Sequence, residues 1–151
     1  MKASLFAALA AVLAMSHSAH AAELLATLST SKSEATDIRL EIASDGTVAG
    51  FSFALDVGAS GAAEVRTSDC VARLPKGFNA ACTYRNGQIK VIAFAELPGT
   101  FLRQGKAPVG SVTVSTVLTG DRSVRVYGFE TSGDDGGSTR GTAKTVFQLA
   151  P

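Results

Sequence analysis

The chain has 151 residues, which is the length of one ordinary domain. Lys and Arg total 14 against 13 Asp and Glu, so the formal net charge is +1. This balance excludes a strongly basic nucleic-acid binder and an acidic tail, and a hydrophobic content of 46% excludes a disordered chain.

Residues 1–22 have the pattern of a secretory signal peptide. Met1-Lys2 forms a short positive start, residues 3–15 are apolar, and Ala19-His20-Ala21 fits the small-x-small cleavage rule. The apolar run is too short to span a bilayer, which takes about 20 residues. We therefore expect a secreted or periplasmic protein that has no membrane span after cleavage and whose residues 23–151 form a single domain.

The two histidines, His17 and His20, both lie in this predicted leader, and the chain contains no Trp. Without His, neither a Ser-His-Asp nor a Cys-His catalytic arrangement is possible in the mature chain, and imidazole metal sites are excluded as well. Carboxylates are scattered singly, at Asp37, Glu41, Asp45, Asp56, Glu64 and Glu96. A carboxylate-based glycoside hydrolase stays open as an alternative, but no motif places a base beside a nucleophile. The sequence thus predicts no enzyme and no cofactor.

The first half of the mature chain reads as strands separated by turns. Alternation of apolar and polar residues predicts strands at residues 24–29, 36–43 and 48–57, with a shorter strand at 63–67. Asp45-Gly46 marks a tight turn between the second and third of these strands. The segments between strands are therefore short in this half of the chain.

A longer connection, residues 68–80, follows and carries the first of the two cysteines. Cys70 and Cys82 are twelve positions apart, and an even cysteine count in an exported protein predicts a disulfide. Closing a loop of this size stabilises the fold by on the order of 3 kcal/mol. A redox pair is disfavoured because the Cys-x-x-Cys spacing is absent.

Asn86-Gly87 is the strongest hairpin signal in the chain. It separates the strand-like runs 81–85 and 88–96, and a type I′ turn requires positive φ at both of its central residues. The second arm has apolar residues on both faces, namely Ile89, Val91, Ile92 and Phe94. This pattern predicts a central strand that is covered on both sides.

The second half of the chain continues the same pattern. Residues 97–108 read as a loop, 109–118 and 123–130 as strands, 131–140 as a flexible loop, and 142–149 as the last strand. Eight or nine short strands at near-regular spacing predict an all-β fold, an antiparallel β-sandwich of the jelly-roll type.

Two groups of polar residues are candidate binding sites. Asp134 and Asp135 lie in a loop whose oxygens suit a hard cation such as Ca²⁺, but a solvated acidic turn has the same composition. Arg125 and Tyr127 share one phase of their strand with Phe129. If these three side chains faced the core, the Arg125 guanidinium would be buried without water, so we expect them to face solvent. They form a possible binding face, because Arg and Tyr are enriched at binding hot spots.

Three segments resemble strands of cohesin domains. Residues 48–57 (VAGFSFALDV) resemble the AGFxFxLxYD strand, residues 86–95 (NGQIKVIAFA) the GxISFLF strand, and residues 109–114 (VGSVTV) the FATITFKV strand. The resemblance implies a nine-stranded jelly-roll sandwich, which related carbohydrate-binding modules share. It also implies a non-catalytic binding role, because cohesins bind dockerin modules in extracellular polysaccharide-degrading assemblies. Gly58-Ala59-Ser60-Gly61 replaces the family's YDPxxLE segment.

What the resemblance implies for this chain is therefore binding to an unidentified extracellular protein or polysaccharide rather than to a dockerin in particular. In cohesins the partner lies against the sheet of the third, fifth, sixth and eighth strands, which correspond here to residues 48–57, 81–85, 88–96 and 123–130. The alternative function is a structural subunit of a cell-surface assembly, in which strand edges pair between chains. A long exposed edge strand would favour that alternative.

Overall fold

The computed structural model describes residues 22–30, 35–58, 63–118 and 124–148, so the predicted leader lies outside the described residues except for Ala22. The described strands, in chain order, are β1 (Glu23–Thr30), β2 (Thr36–Ser44), β3 (Gly50–Asp56), β4 (Val65–Arg66), β5 (Phe78–Arg85), β6 (Gln88–Ala95), β7 (Gly105–Val114), β8 (Arg125–Ser132), β9 (Ser138–Arg140) and β10 (Thr142–Gln148). Within these ranges no helix has the length and apolar character needed to cross a membrane.

The strands form two five-stranded sheets of a jelly-roll sandwich. The first sheet has the order β10-β1-β2-β7-β4, and the second has the order β5-β6-β3-β8-β9. The strands predicted at residues 48–57, 81–85, 88–96 and 123–130 are β3, β5, β6 and β8, and all four lie in the second sheet. Every neighbouring pair is antiparallel except β1 and β10, which run parallel. The prediction of an all-β, antiparallel sandwich of the jelly-roll type is confirmed, and one pair at the edge of the first sheet is parallel.

The parallel pair arises where the chain passes from the second sheet to the first. The Gly141 N–H donates to the Phe129 carbonyl at 3.0 Å, and the next N–H, of Thr142, donates to the Ala22 carbonyl at 3.0 Å. A Cβ atom at Gly141 would overlap the Phe129 ring and the Ala22 carbonyl oxygen. Only glycine therefore fits this corner, which delivers β10 to the outer edge of β1 in the same direction as β1.

Several strand boundaries differ from the predicted ones. β5 begins inside the predicted connection 68–80, β7 begins inside the predicted loop 97–108, and β9 lies inside the predicted flexible loop 131–140. Of these differences only β9 adds a strand, so the structure describes ten strands where eight or nine were predicted. These strands extend further than predicted because they pair with a neighbouring strand. The pairing holds even Gly- and Pro-containing segments in an extended conformation that their local propensity does not favour.

The core lies between the two sheets and follows the alternation of the sequence. On β2, Ile38, Leu40 and Ile42 are fully buried while the residues between them point outward. On β3, the ring of Phe53 stacks on Phe51 at a centroid distance of 6.1 Å and meets the Phe129 ring edge-on at 6.4 Å. Successive side chains of a strand point to opposite faces of its sheet. Each sheet therefore contributes the side chains of its inner face to the core.

The predicted hairpin at Asn86-Gly87 is confirmed. Asn86 has φ 52° and Gly87 has φ 80°, and Arg85 pairs directly with Gln88 across the two-residue turn. Positive φ at both central residues is the type I′ conformation, whose twist matches that of the flanking strands. This turn sets the register of β5 against β6 and thereby of the edge of the second sheet.

The predicted disulfide between Cys70 and Cys82 is present. Cys70 is fully buried, and its loop is bound to β7 because the Ser111 N–H donates to the Asp69 carbonyl at 2.9 Å. A Cβ at Gly110 would overlap the backbone of this loop, so glycine permits the close approach. Because β7 belongs to the first sheet and Cys82 lies on β5 of the second, the bridge links the two sheets.

Candidate functional site

The outer face of the second sheet carries exposed apolar side chains. Ile92 and Phe94 on β6 are each 53% exposed. The sequence predicted β6 to be a central strand covered on both sides. The strand is internal, with β5 and β3 as neighbours, but its outer face is not buried, so the prediction of cover on both sides is wrong. Apolar side chains therefore lie on both faces of β6, one facing the core and the other facing solvent.

A groove runs along β3 in the middle of this face. The outward residues of β3 are small, whereas those of β6 and β8 on either side are mostly larger. The register gives three rows across the groove: Phe94–Gly50–Ser132, Ile92–Ser52–Glu130 and Lys90–Ala54–Tyr127. The ridges of β6 and β8 are two strand spacings apart, about 9.5 Å.

Two shallow depressions adjoin one another on this face. The larger, of about 440 Å³, is bordered by Ala54, Ile92 and Tyr127 among others. The smaller, of about 190 Å³, lies by Phe94 and Ser132, and Ser52 and Ile92 border both. Together they form a surface that is open to a partner along its length rather than an enclosed pocket.

A β-bulge in β8 determines which side chains of that strand reach the groove. Ser52 pairs with Glu130 but Ala54 pairs with Tyr127, so two residues of β8 oppose the single residue Phe53. Gly128 has φ 58°, in the left-handed region that glycine adopts without strain. The bulge reverses the alternation, so Tyr127 is 43% exposed whereas Phe129 is only 3% exposed.

Arg125 and Tyr127 thus both lie on the outer face, as expected for a possible binding face, and their role in binding stays a prediction. Phe129 was expected to share their orientation, and this expectation is wrong. Its ring packs on Phe53 in the core because the extra residue at the bulge turns it inward.

The hairpin end of the face is basic. Arg85 and Arg125 lie at the two ends of one row, with Asp56 next to Arg125, and Lys90 lies in the following row. The Asp56 carboxylate accepts a hydrogen bond from the Gly58 N–H at 3.0 Å. The side chains near this end therefore favour acidic groups on a partner.

The Asp134–Asp135 loop, the other candidate, uses its carboxylates internally. Asp134 Oδ2 accepts a hydrogen bond from the Gly99 N–H at 2.7 Å, and Asp135 Oδ1 accepts one from the Gly137 N–H at 2.9 Å. Among the described residues, no three or more His, Cys, Asp or Glu side chains are grouped so that they would hold a metal ion. These contacts give the carboxylates a role in shaping the loop.

Ile92 and Phe94 are the site residues that sequence reasoning missed. The signal that would have found them is Lys90, which shares their phase on the same strand and is exposed. A charged residue in an otherwise apolar phase indicates that this phase faces water, because an unpaired buried ammonium is strongly unfavourable.

The arrangement of strands matches solved structures over most of the chain. A non-cellulosomal cohesin from the archaeon Archaeoglobus fulgidus matches with a TM-score of 0.60 and 16% identity, covering 87% of this chain and 92% of that one. The chain has a cohesin-like fold. No protein-family model matches it, and no curated protein matches its sequence.

Two further cohesins were solved in complexes. The sixth cohesin of scaffoldin B from Acetivibrio cellulolyticus, in complex with a mutant Cel5 dockerin, matches with a TM-score of 0.61 and 10% identity over 86% of this chain and 99% of that one. CaCohA2, in complex with CaDoc0917, matches with a TM-score of 0.63 and 8% identity over 85% and 99% of the two chains. At these low sequence identities, the similarity to cohesins establishes the fold alone.

Proposed function

We propose that this cohesin-like protein is an exported, non-catalytic module that binds a partner protein through the outer face of the second sheet. The observation that carries the proposal is the exposure of Ile92, Phe94 and Tyr127 around the small-residue floor of β3. Clustered apolar side chains on a sheet face mark interaction sites, because leaving them in water is unfavourable.

The composition of the face supports a protein partner more than a polysaccharide. Ile92 lies in the middle of the apolar ridge and offers no ring for stacking on a sugar. Tyr127 and Arg125 are of the types that dominate protein hot spots. The Acetivibrio cellulolyticus cohesin is bound to a dockerin in its solved complex and CaCohA2 is bound to CaDoc0917, which also supports a protein partner of unknown identity. Polysaccharide binding is the alternative that the experiment distinguishes.

Export is supported by the predicted signal peptide over residues 1–22 and by the Cys70–Cys82 disulfide, which persists in an oxidising compartment. The mature protein is expected to begin at Ala22 or Glu23. Intact-mass measurement of the protein recovered from the secreted and periplasmic fractions tests this, and a mass that includes Met1 contradicts it.

The binding proposal is tested by capture and titration. The immobilised protein is exposed to secreted and periplasmic proteins of the source cell and, in parallel, to cell-surface polysaccharides. We expect a protein to be retained by the wild type and lost with Ile92→Ala and Phe94→Ala. Val117→Ala is the matched control, because Val117 is 39% exposed but lies outside the second sheet. Equal retention by all variants, or retention of polysaccharide alone, contradicts the proposal.

A further inference from the structure

Strand β5 leaves one long edge of the second sheet open. Among the strands that the structure describes, it pairs with β6 alone, over all eight of its residues. In a two-residue hairpin the pair that closes the turn, here Arg85 and Gln88, exchanges both hydrogen bonds, and alternate pairs along the ladder do the same. The backbone N–H and C=O groups of the remaining residues point away from the sheet. These residues are Phe78, Ala80, Cys82 and Tyr84.

The edge lacks the features that usually prevent strand addition. Natural edge strands are short, charged, bulged or interrupted by proline. Between Phe78 and Tyr84 this strand has no charge and no proline, and its pairing with β6 runs without a register shift. Ala80, in the middle, is exposed. The backbone groups of this edge are therefore accessible to another strand.

The strand that best fits the open edge of β5 is β5 of a second copy, because its own residues are complementary when two copies lie antiparallel. We propose that two copies of this chain pair antiparallel through β5, with the two Ala81 residues opposite each other. Ala80 then pairs with Cys82 of the second copy, and Phe78 with Tyr84 of the second copy. All four outward-pointing residues find partners, forming about eight hydrogen bonds between the chains. Shifting the register by two residues leaves an end of each strand unpaired.

Side chains in this register also match. Tyr84, 37% exposed in the single chain, gains Phe78 of the second copy as a cross-strand neighbour, and aromatic pairs of this kind stabilise antiparallel sheets. On the outer face Asn79 lies opposite Thr83. No like charges meet along the paired residues, because Arg85 lies beyond the last pair.

The dimer joins the two second sheets into one continuous sheet. The two β6 strands would then be three strand spacings apart, about 14 Å, with both outer faces on the same side. If that face is the docking surface, a consequence that rests on the proposed function, the dimer binds two partner sites at once and gains avidity. The pairing of the two β5 strands does not depend on whether a partner binds to the outer face of the second sheet.

Sedimentation of protein produced from the full chain, over a concentration series reaching about 1 mM, tests the dimer. We expect a concentration-dependent shift from monomer to dimer. Ala80→Pro removes an outward N–H that the single chain does not use, and it does so twice per dimer. It should lower the association constant by about tenfold or more, because two hydrogen bonds between the chains are lost. Val117→Ala, at an exposed position outside the strands, should leave the constant unchanged. A wild type that stays monomeric throughout overturns the proposal.

A cysteine pair tests the register independently of how Ala80→Pro folds. Opposed Ala81 residues form a non-hydrogen-bonded pair with Cα atoms about 4.5 Å apart, within the range that a disulfide spans. Ala81→Cys should therefore give a covalent dimer on mild oxidation. Thr83→Cys, on the same face of the same strand, is the control and should not, because it lies opposite Asn79. No cross-linking by Ala81→Cys, or equal cross-linking by both variants, overturns the proposal.

Discussion

The two sheets of the sandwich share one core but present different outer faces. The first sheet has polar rows, such as Thr27–Arg39–Ser111, and the Thr113 hydroxyl donates to Asp37 at 2.7 Å. The second sheet has Ile92, Phe94 and Tyr127. Of the strand residues described in the structure, every exposed large hydrophobic one lies in the second sheet.

The inner faces of the two sheets are required for folding, whereas the composition of the outer faces is not determined by it. The inner faces of both sheets are apolar because burying them drives folding. The outer faces contribute little to that burial, so an apolar outer face reduces solubility without a matching gain in stability of the single chain. An apolar outer face on the second sheet alone is in keeping with the binding role proposed for that face.

The largest effect is expected from the inner face of β6. Ile89 is fully buried and Ile92 is 53% exposed on the same strand. Ile89→Ala should lower the free energy of unfolding by about 3 kcal/mol, because it removes packing and leaves a cavity. Ile92→Ala should lower it by less than about 1 kcal/mol. Urea unfolding of this matched pair measures both, and equal losses would mean that both faces of β6 are buried.

Loss of the disulfide that links the two sheets should have an effect of similar size. Replacing Cys70 and Cys82 together with Ser should lower the free energy of unfolding by about 2 to 4 kcal/mol, because the unfolded chain loses its constraint. The β-sheet content measured by circular dichroism should be unchanged. Non-reducing peptide mapping of the wild type is the control, and free thiols in the native protein would contradict the prediction.

Partner binding should separate the two outer faces. Tyr127→Ala and Arg125→Ala should each weaken binding by about 1 to 2 kcal/mol, because hot-spot residues of these types lose that much on truncation. Both should change stability by about 1 kcal/mol or less. Titration of the captured partner measures the affinity. Arg39→Ala, on the outer face of the first sheet, is the control, and wild-type affinity in both β8 variants would remove this face from consideration.

The smallest effect is expected at the polar edge of the first sheet. Arg66 Nε lies 3.1 Å from Glu64 Oε1, and the two side chains are 71% and 66% exposed. Glu64→Gln should change the free energy of unfolding by no more than about 0.5 kcal/mol, because water and salt screen exposed ion pairs. Urea unfolding at low and high salt measures the change. A loss above 1 kcal/mol would show that polar surface contacts matter more here than in most proteins.

The sequence by itself determined the features that depend on neighbouring residues. The alternation along β2 and β3 follows from a period of two, and the Asn86-Gly87 turn follows from two residues that tolerate positive φ. The pairing of Cys70 with Cys82 followed from there being two cysteines in a predicted exported chain. Each of these needs only local backbone preferences or a count.

Only the tertiary structure decided which surfaces are covered. The exposure of Ile92 and Phe94 depends on whether another layer packs on β6, and the sequence contains only an indirect sign of this, the charge of Lys90 on the same face. The inward orientation of Phe129 depends on a bulge opposite Phe53, and the parallel pairing of β10 depends on the corner at Gly141. The physical reason is the same in each case: alternation defines two faces of a strand, but contacts between segments distant in sequence decide which face meets the core and which meets water.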